Sequence, residues 1–180
     1  MVGRVGLVIE AIEFMKDRLQ KTKDNNIKMQ KTLKLYQSLT GLPLGKIIFS
    51  RMLCFMTPYF SSIKPSIKKL EMNQCVVFMK KRRAVTNHLK TVHAIAMCNM
   101  AELAGGLMTE VSLPQDKRWI PSGMTVKYLK KAKTNLTAIA DGNELDWNRE
   151  GEVEVPVRIT DDNNELVFSA EIKMNIKTMK

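Results

Sequence analysis

Residues 93–110, HAIAMCNMAELAGGLMTE, combine a long apolar run with two polar side chains that could take part in chemistry. Glu102 and Asn99 are three residues apart, so on a helix they share one face. The alanines and methionines around Glu102 predict desolvation of its carboxylate, and desolvation makes a carboxylate a stronger base, as general-base catalysis near neutral pH requires. The alternative is a structural carboxylate that pairs with a Lys or Arg, and spacing alone favours neither interpretation.

The histidines and cysteines do not have the spacing of metal ligands. His88 and His93 are five residues apart, whereas a helical metal pair needs a separation of four. A single histidine at the start of a helix is more often a capping or packing residue. The three cysteines, Cys54, Cys75 and Cys98, include no C-x-x-C pair, so neither a zinc site nor a disulfide framework is predicted. We therefore expect no metal and no cofactor, and a reducing, cytoplasmic location.

A buried helix is predicted to carry the polar pair. Thr91 is a suitable N-cap, and the residues from 94 to 108 leave almost no polar side. Gly105 and Gly106 each weaken a helix by up to about 1 kcal/mol relative to alanine. Their presence predicts the close approach of another backbone, either from a sheet or from a second copy of the helix.

Strands are predicted on both sides of this helix. Apolar and polar residues alternate at 124–133, 134–142, 151–161 and 165–177, and a Val-Val-Phe run lies within 73–83. Alternation with a period of two is typical of an antiparallel sheet with one covered face. Because the helix is apolar nearly all round, we predict an α+β fold in which a curved sheet wraps it.

Residues 1–64 are predicted to form a helical extension, separate from a second domain at 72–177. Apolar residues recur at helical spacing near residues 8–19 and 28–39, and a third helical piece runs from about 44 to 59. The start of the chain lacks the pattern of a secretory signal. Lys46, Arg51 and Pro58 interrupt the most apolar window, so no transmembrane segment is expected. We expect the extension to pack over the sheet or a tunnel mouth.

The charge of the chain limits the classes of partner. A formal charge of +11 and a pI near 9.7 predict attraction to polyanions, which include nucleic acid, anionic lipid and phosphorylated ligands. Only 6% of residues are aromatic and no RNP-like or helix-turn-helix signature is present, so we expect no nucleic-acid partner.

The segment NHLKTVHAIAMCNMAELAGG (87–106) resembles the motif of hotdog-fold acyl-CoA thioesterases of the phenylacetate-pathway type. That motif runs Asn, five residues, His-Gly-Gly, and then Leu-Ala-Asp or Leu-Ala-Glu. Asn87 lies six residues before His93, and Glu102 lies nine after it. The strand MTVKYLKKA is also similar to the next strand of that family. The resemblance covers about 72–177, and the preceding helices are similar to those of an uncharacterised thioesterase-like branch.

The resemblance implies a hotdog fold that pairs into a homodimer or a dimer of dimers, with an acyl-CoA or another acyl thioester as substrate. Glu102 would act as general base or nucleophile, and the N–H groups around Ala94 would stabilise the oxyanion. Asn87 and His93 of the partner chain would position the carbonyl or the water. Further substrate contacts would come from Asn99, Ser122, Lys80, Lys81, Arg82, Arg83, Lys130 and Lys131. The basic residues in this set would meet the phosphates of coenzyme A, or else form a solvated charged surface.

Four positions depart from the family pattern. Lys90 replaces a glycine, Ala94 and Ile95 replace the Gly-Gly pair, and Lys131 replaces a proline in the strand. The side chain of Ile95 would narrow a pocket at the helix start. These departures bear on catalysis more than on fold, so the leading hypothesis of a thioesterase stands beside a non-catalytic hotdog protein that binds acyl-CoA or lipid.

Overall fold

The computed structural model describes residues 31–179. The first predicted helix, near residues 8–19, lies outside that range. Three helices and six strands form the described part of the chain. In chain order they are α1 (Lys31–Thr40), α2 (Gly45–Met56), β1 (Ser66–Glu71), β2 (Gln74–Met79), α3 (Ala94–Ser112), β3 (Lys117–Tyr128), β4 (Leu136–Asp141), β5 (Gly151–Asp161) and β6 (Leu166–Thr178). Two 3₁₀ helices, Pro58–Ile63 and Arg83–Val85, lie in the connections.

The strands form one antiparallel sheet in the order β1-β2-β4-β5-β6-β3. Helix α3 packs against all six strands. On β5 the valines at 153, 155 and 157 are buried, while the residues between them are exposed. This is the predicted alternation, and it gives the sheet one apolar face for the helix. The α+β prediction of a sheet packed on one long helix is confirmed.

Two strands differ from the predicted pattern. Strand β1 was not predicted, because the adjacent Lys68 and Lys69 break the alternation where the register with β2 shifts between Ile67 and Lys69. Strand β3 begins at Lys117, seven residues before the predicted start at 124. The added residues include Pro121, which lies at a second register shift, on an edge strand, where a proline is tolerated.

Details of α3 also differ from the prediction. Its N-cap is His93 and not Thr91, since the Nδ1 atom of His93 accepts a hydrogen bond from the Ile95 N–H group. The two glycines do lie where another element comes close, but the neighbours are side chains and not a second backbone. A Cβ atom on Gly105 would lie 2.9 Å from Cδ1 of Ile172, and one on Gly106 would lie 3.0 Å from the indole of Trp119.

Helices α1 and α2 share a core with the sheet. The side chains of Leu33, Tyr36 and Phe49 are buried in the same apolar cluster as α3 and the strands. The Tyr36 hydroxyl donates to the carbonyl oxygen of Lys68 on β1 at 3.2 Å. Residues 31–63 therefore pack along the β1 edge, while the proposed division of the chain at 64–72 stays a prediction. No helix within residues 31–179 has both the length and the apolar character needed to cross a bilayer.

Candidate active site at the start of helix α3

The loop before α3 is organised by Asn87. Its Oδ1 atom accepts hydrogen bonds from the N–H groups of Leu89 (3.0 Å) and Thr91 (3.2 Å), and its Nδ2 group donates to the Thr91 hydroxyl at 2.9 Å. Thr91 is thus a loop residue. These contacts close the turn that leads into the helix, and they use most of the hydrogen-bonding capacity of the Asn87 side chain.

Lys90 occupies the tightest position of this loop. Its φ angle is 59°, in the left-handed region that glycine adopts most readily. At this position, where the hotdog motif has a glycine, the loop therefore holds a lysine in a conformation that a glycine adopts at lower cost.

The first turn of α3 offers one free backbone donor. Within residues 31–179 the Ala94 N–H group has no hydrogen-bond acceptor, while the Ile95 N–H group is used by His93 at 3.1 Å. An unpaired N–H at the positive end of a 19-residue helix is suited to bind an oxyanion. The exposed side chain of Ile95 lies beside it.

Glu102 lies on a stripe of α3 that the sheet leaves uncovered. Ile95, Cys98 and Glu102 follow one another at spacings of three and four, and each is exposed or half-buried. The Glu102 carboxylate makes no hydrogen bond or salt bridge with residues 31–179, so within this part of the chain the structural ion pair considered as an alternative is not formed. It is also exposed, so a single chain does not supply the predicted desolvation.

Ala94 and Glu102 are too far apart to act on one carbonyl group within a single chain. Eight residues separate them along α3, which corresponds to about 12 Å at 1.5 Å per residue. The loop residues Asn87 and His93 lie with Ala94 at the start of the helix. The chain therefore brings Asn87, His93 and Ala94 together and leaves Glu102 more than two turns away.

Asn99 belongs to a different polar cluster. Its side chain is 6% exposed and donates from Nδ2 to the Ser62 hydroxyl at 3.1 Å, while its Oδ1 atom is buried without a partner. Arg82 donates to the carbonyl oxygen of Ser62, and its Nε group is also buried and unpaired. The sequence analysis missed Ser62, since nothing local distinguishes it from other loop serines.

The remaining predicted contacts are dispersed. The Lys81 ammonium donates to the Lys133 carbonyl oxygen, and Lys130 forms an exposed salt bridge with Glu165. The Ser122 hydroxyl donates to Glu152 at 2.9 Å. On β5 the valines face α3, and Glu152 lies on the opposite, outer face of the sheet. Because Ser122 contacts Glu152, it lies on the outer face as well. The other three predicted contacts are the exposed residues Lys80, Arg83 and Lys131, whose side chains have no hydrogen-bond or ion-pair partner within residues 31–179. Among the described residues no three His, Cys, Asp or Glu side chains cluster as metal ligands do.

Comparison with known families gives this arrangement a context. The family model described as Domain of unknown function (DUF4442) matches residues 45–176, which include α2, α3 and the whole sheet except the last two residues of β6. The chain belongs to the DUF4442 family. The crystal structure of the structural-genomics protein APC5556 is 44% identical to this DUF4442 chain, with a TM-score of 0.75, and the match covers 82% of this chain and 98% of that one.

Two solved thioesterases share the fold of this DUF4442 protein at low sequence identity. The thioesterase HI1161 from Haemophilus influenzae is 16% identical with a TM-score of 0.63, over 71% of this chain and 87% of that one. A thioesterase family protein from Silicibacter pomeroyi is 13% identical with a TM-score of 0.62, over 72% and 96%. The predicted hotdog fold is thereby confirmed. A search of curated proteins found no match.

Proposed function

We propose that this protein hydrolyses acyl thioesters, with esters of coenzyme A as the substrate class, at a site shared by two chains. The observation that carries the proposal is that, within residues 31–179, the Ala94 N–H group at the start of α3 and the Glu102 carboxylate on the same helix both lack a partner. One group is suited to bind an oxyanion, and the other is suited to activate water. The thioesterases among its structural neighbours have the same fold.

A second copy of the chain would bring the two groups together. Strand β3 is an edge of the sheet, and its exposed side chains include Ile120, which is 63% exposed. Such an edge has unpaired N–H and C=O groups that can hydrogen-bond to the same strand of another copy. Pairing of this kind would cover the open stripe of α3, so that Glu102 becomes desolvated beside Ala94 of the partner chain.

The proposed reaction uses few groups. The thioester carbonyl oxygen accepts a hydrogen bond from the Ala94 N–H group, while Glu102 removes a proton from water as that water attacks the carbonyl carbon. The tetrahedral intermediate then expels the thiolate by breaking the C–S bond, and Glu102 returns the proton to the sulfur. Asn87 holds the loop in place, and Arg83 and Lys131 are free to meet the phosphates of coenzyme A. No resident cofactor is required.

The decisive experiment measures thiol release from a panel of acyl-CoA esters. We expect Glu102→Gln to lower kcat by at least about a hundredfold, with an unchanged melting temperature, since its side chain has no structural partner within residues 31–179. Glu171→Gln is the matched control, because Glu171 is an exposed carboxylate on the outer face of the sheet. Absence of turnover by the wild type on every ester would contradict the proposal.

A second variant tests the oxyanion donor. Ala94→Pro removes the N–H group at the first helical position, where proline is well tolerated, and His93 already has the extended conformation that a following proline requires. We expect a loss of about 10²–10³ in kcat with the fold retained. Ala94→Gly keeps the N–H group and should keep the activity.

The second candidate function is binding of acyl-CoA without turnover. It is favoured by the hydrogen bond from the Ile95 N–H group to His93, because the described part of the chain then offers a single free donor at the start of α3, where an oxyanion site commonly has two. Tight binding of a non-hydrolysable acyl-CoA analogue, together with no thiol release, would identify a binder.

A further inference from the structure

Helix α2 exposes an apolar stripe on the side away from β1. Leu44, Ile47, Ile48 and Phe55 recur at helical spacing, and Leu44 and Phe55 are 72% and 86% exposed. The opposite side of the helix has the buried Phe49 and Ser50. A surface helix normally places its apolar residues toward the core, so a second apolar face indicates a further contact.

The stripe continues beyond the end of α2. Met56, its last residue, and Tyr59 in the following 3₁₀ helix are each 70% exposed. Aromatic residues beside an apolar helix face are typical of segments that lie at a membrane–water interface. The α2 face is the surface formed by Leu44, Ile47, Ile48, Phe55, Met56 and Tyr59.

The charge around the α2 face is of one sign. Residues 31–70 contain seven Lys and Arg residues and no Asp or Glu. Arg51 lies on the stripe itself, between Ile48 and Phe55. Arg51 and Lys64 also line a cavity of about 500 Å³ between α2, the following 3₁₀ helix and the start of β1, together with Ile47 and Cys54. This cavity combines apolar walls with two cations that make no ion pair within residues 31–179.

We propose that the α2 face docks on an anionic lipid surface. Phe55 and Ile48 would enter the boundary between headgroups and acyl chains, while Arg51 and Lys64 receive a headgroup phosphate in the cavity. A second copy of the same face is disfavoured, because it would bring like charges together. Nucleic acid would use the cations but would leave the apolar stripe in water. This inference does not depend on the proposed hydrolysis.

The test is co-sedimentation of the full-length protein with vesicles at physiological salt. Vesicles of phosphatidylcholine alone are compared with vesicles that also contain phosphatidylglycerol. We expect strong binding to the anionic vesicles and little binding to the neutral ones. The double variant Arg51→Gln, Lys64→Gln should bind about thirtyfold more weakly, since each basic residue near an anionic surface contributes about 1 kcal/mol. Phe55→Ser should bind about tenfold more weakly.

Matched controls test whether vesicle binding depends on this surface, or whether any exposed apolar residue or cation has the same effect. Met72→Ser removes an exposed apolar residue of the β1–β2 turn, and the double variant Arg158→Gln, Lys177→Gln removes two exposed cations from the sheet. Each control should change vesicle binding by less than about threefold, because these residues lie outside the α2 face.

Four results would overturn the proposal. The first is equal binding to neutral and anionic vesicles, and the second is wild-type binding both by Phe55→Ser and by the double variant Arg51→Gln, Lys64→Gln. The third is a fall in melting temperature for Phe55→Ser with no change in vesicle binding, and the fourth is a change in sedimentation coefficient for that variant. The third result would assign the face to contact with residues 1–30 of the same chain. The fourth would assign it to a second copy.

Discussion

The hydroxyl of Tyr128 on β3 lies 3.3 Å from the Sγ atom of Cys98 on α3. Cys98 is one helical turn before Glu102, so this contact connects the edge strand to the uncovered stripe of the helix. The hydrogen bond to Cys98 raises the pKa of Tyr128, and desolvation adds to the effect. The hydroxyl of Tyr128 therefore keeps its proton to a higher pH than an ordinary tyrosine does.

Removal of the sulfur should change the titration of Tyr128. In Cys98→Ala we expect the pKa of Tyr128 to fall toward its ordinary value of 10, since the interaction that favours the protonated hydroxyl is lost. Because the folded-state pKa is raised, the hydroxyl's contribution to stability is present below pH 10 and is lost as the pH rises above it. Tyrosinate absorbance measures the shift, with Tyr128→Phe to assign the signal. Cys54→Ala should leave it unchanged.

Replacement of Lys90 should stabilise the protein. Lysine adopts a φ angle of 59° less readily than glycine does, and the left-handed conformation disfavours a side chain by about 1–2 kcal/mol. The greater freedom of glycine in the unfolded chain offsets part of that gain. We expect Lys90→Gly to raise the free energy of unfolding by up to about 1 kcal/mol in urea. Leu89→Gly, at an exposed position without a positive φ angle, should give no gain.

Gly45 should tolerate no side chain. A Cβ atom there would overlap the carbonyl group of Leu39, where the end of α1 meets the start of α2. We expect Gly45→Ala to lower the free energy of unfolding by about 1–3 kcal/mol or more, because backbone atoms must move. Gly41→Ala is the matched control in the same connection, since its nearest neighbour would be the Ser38 carbonyl oxygen at 3.7 Å. Equal effects of the two substitutions in urea unfolding would contradict the packing described for this turn.

The thiol of Cys75 should make stability sensitive to alkali. Cys75 is fully buried on β2, and burial raises the pKa of its thiol far above the ordinary value of 9.0. Above pH 9 the unfolded chain loses this proton while the folded chain keeps it, so stability falls as the pH rises, by up to about 1.4 kcal/mol per pH unit.

Comparison of two cysteine variants isolates this effect. Cys75→Ala should lower stability at neutral pH through lost packing, but it should also flatten the decline measured between pH 9 and 10.5. Cys54→Ala should flatten it less, because the Cys54 thiol is only partly buried. An unchanged slope in Cys75→Ala would show that the thiol ionises in the folded protein.

Much of the fold follows from patterns that extend over a few residues. The alternation of apolar and polar residues in β5 and the apolar run of α3 predicted these two elements and their contact. Such patterns can be seen from neighbouring residues alone, because the spacing of apolar residues differs between strands and helices. The fold family was predicted from the resemblance of residues 87–106 and of the following strand to the hotdog motif. Local patterns failed where tertiary pairing tolerates an exception, as with Pro121 in β3 and the Lys68-Lys69 pair in β1.

The tertiary structure decided which predicted residues share a site. It assigned the N-cap to His93, placed Asn99 against Ser62, and turned Ser122 to the outer face of the sheet. It also left Glu102 exposed, on the side of α3 that the sheet does not cover. Burial and distance depend on which elements pack beside a residue, and packing joins segments far apart in the chain. The residue types along α3 thus specify what chemistry is available, while the arrangement of the sheet around α3 specifies which of those groups can act together.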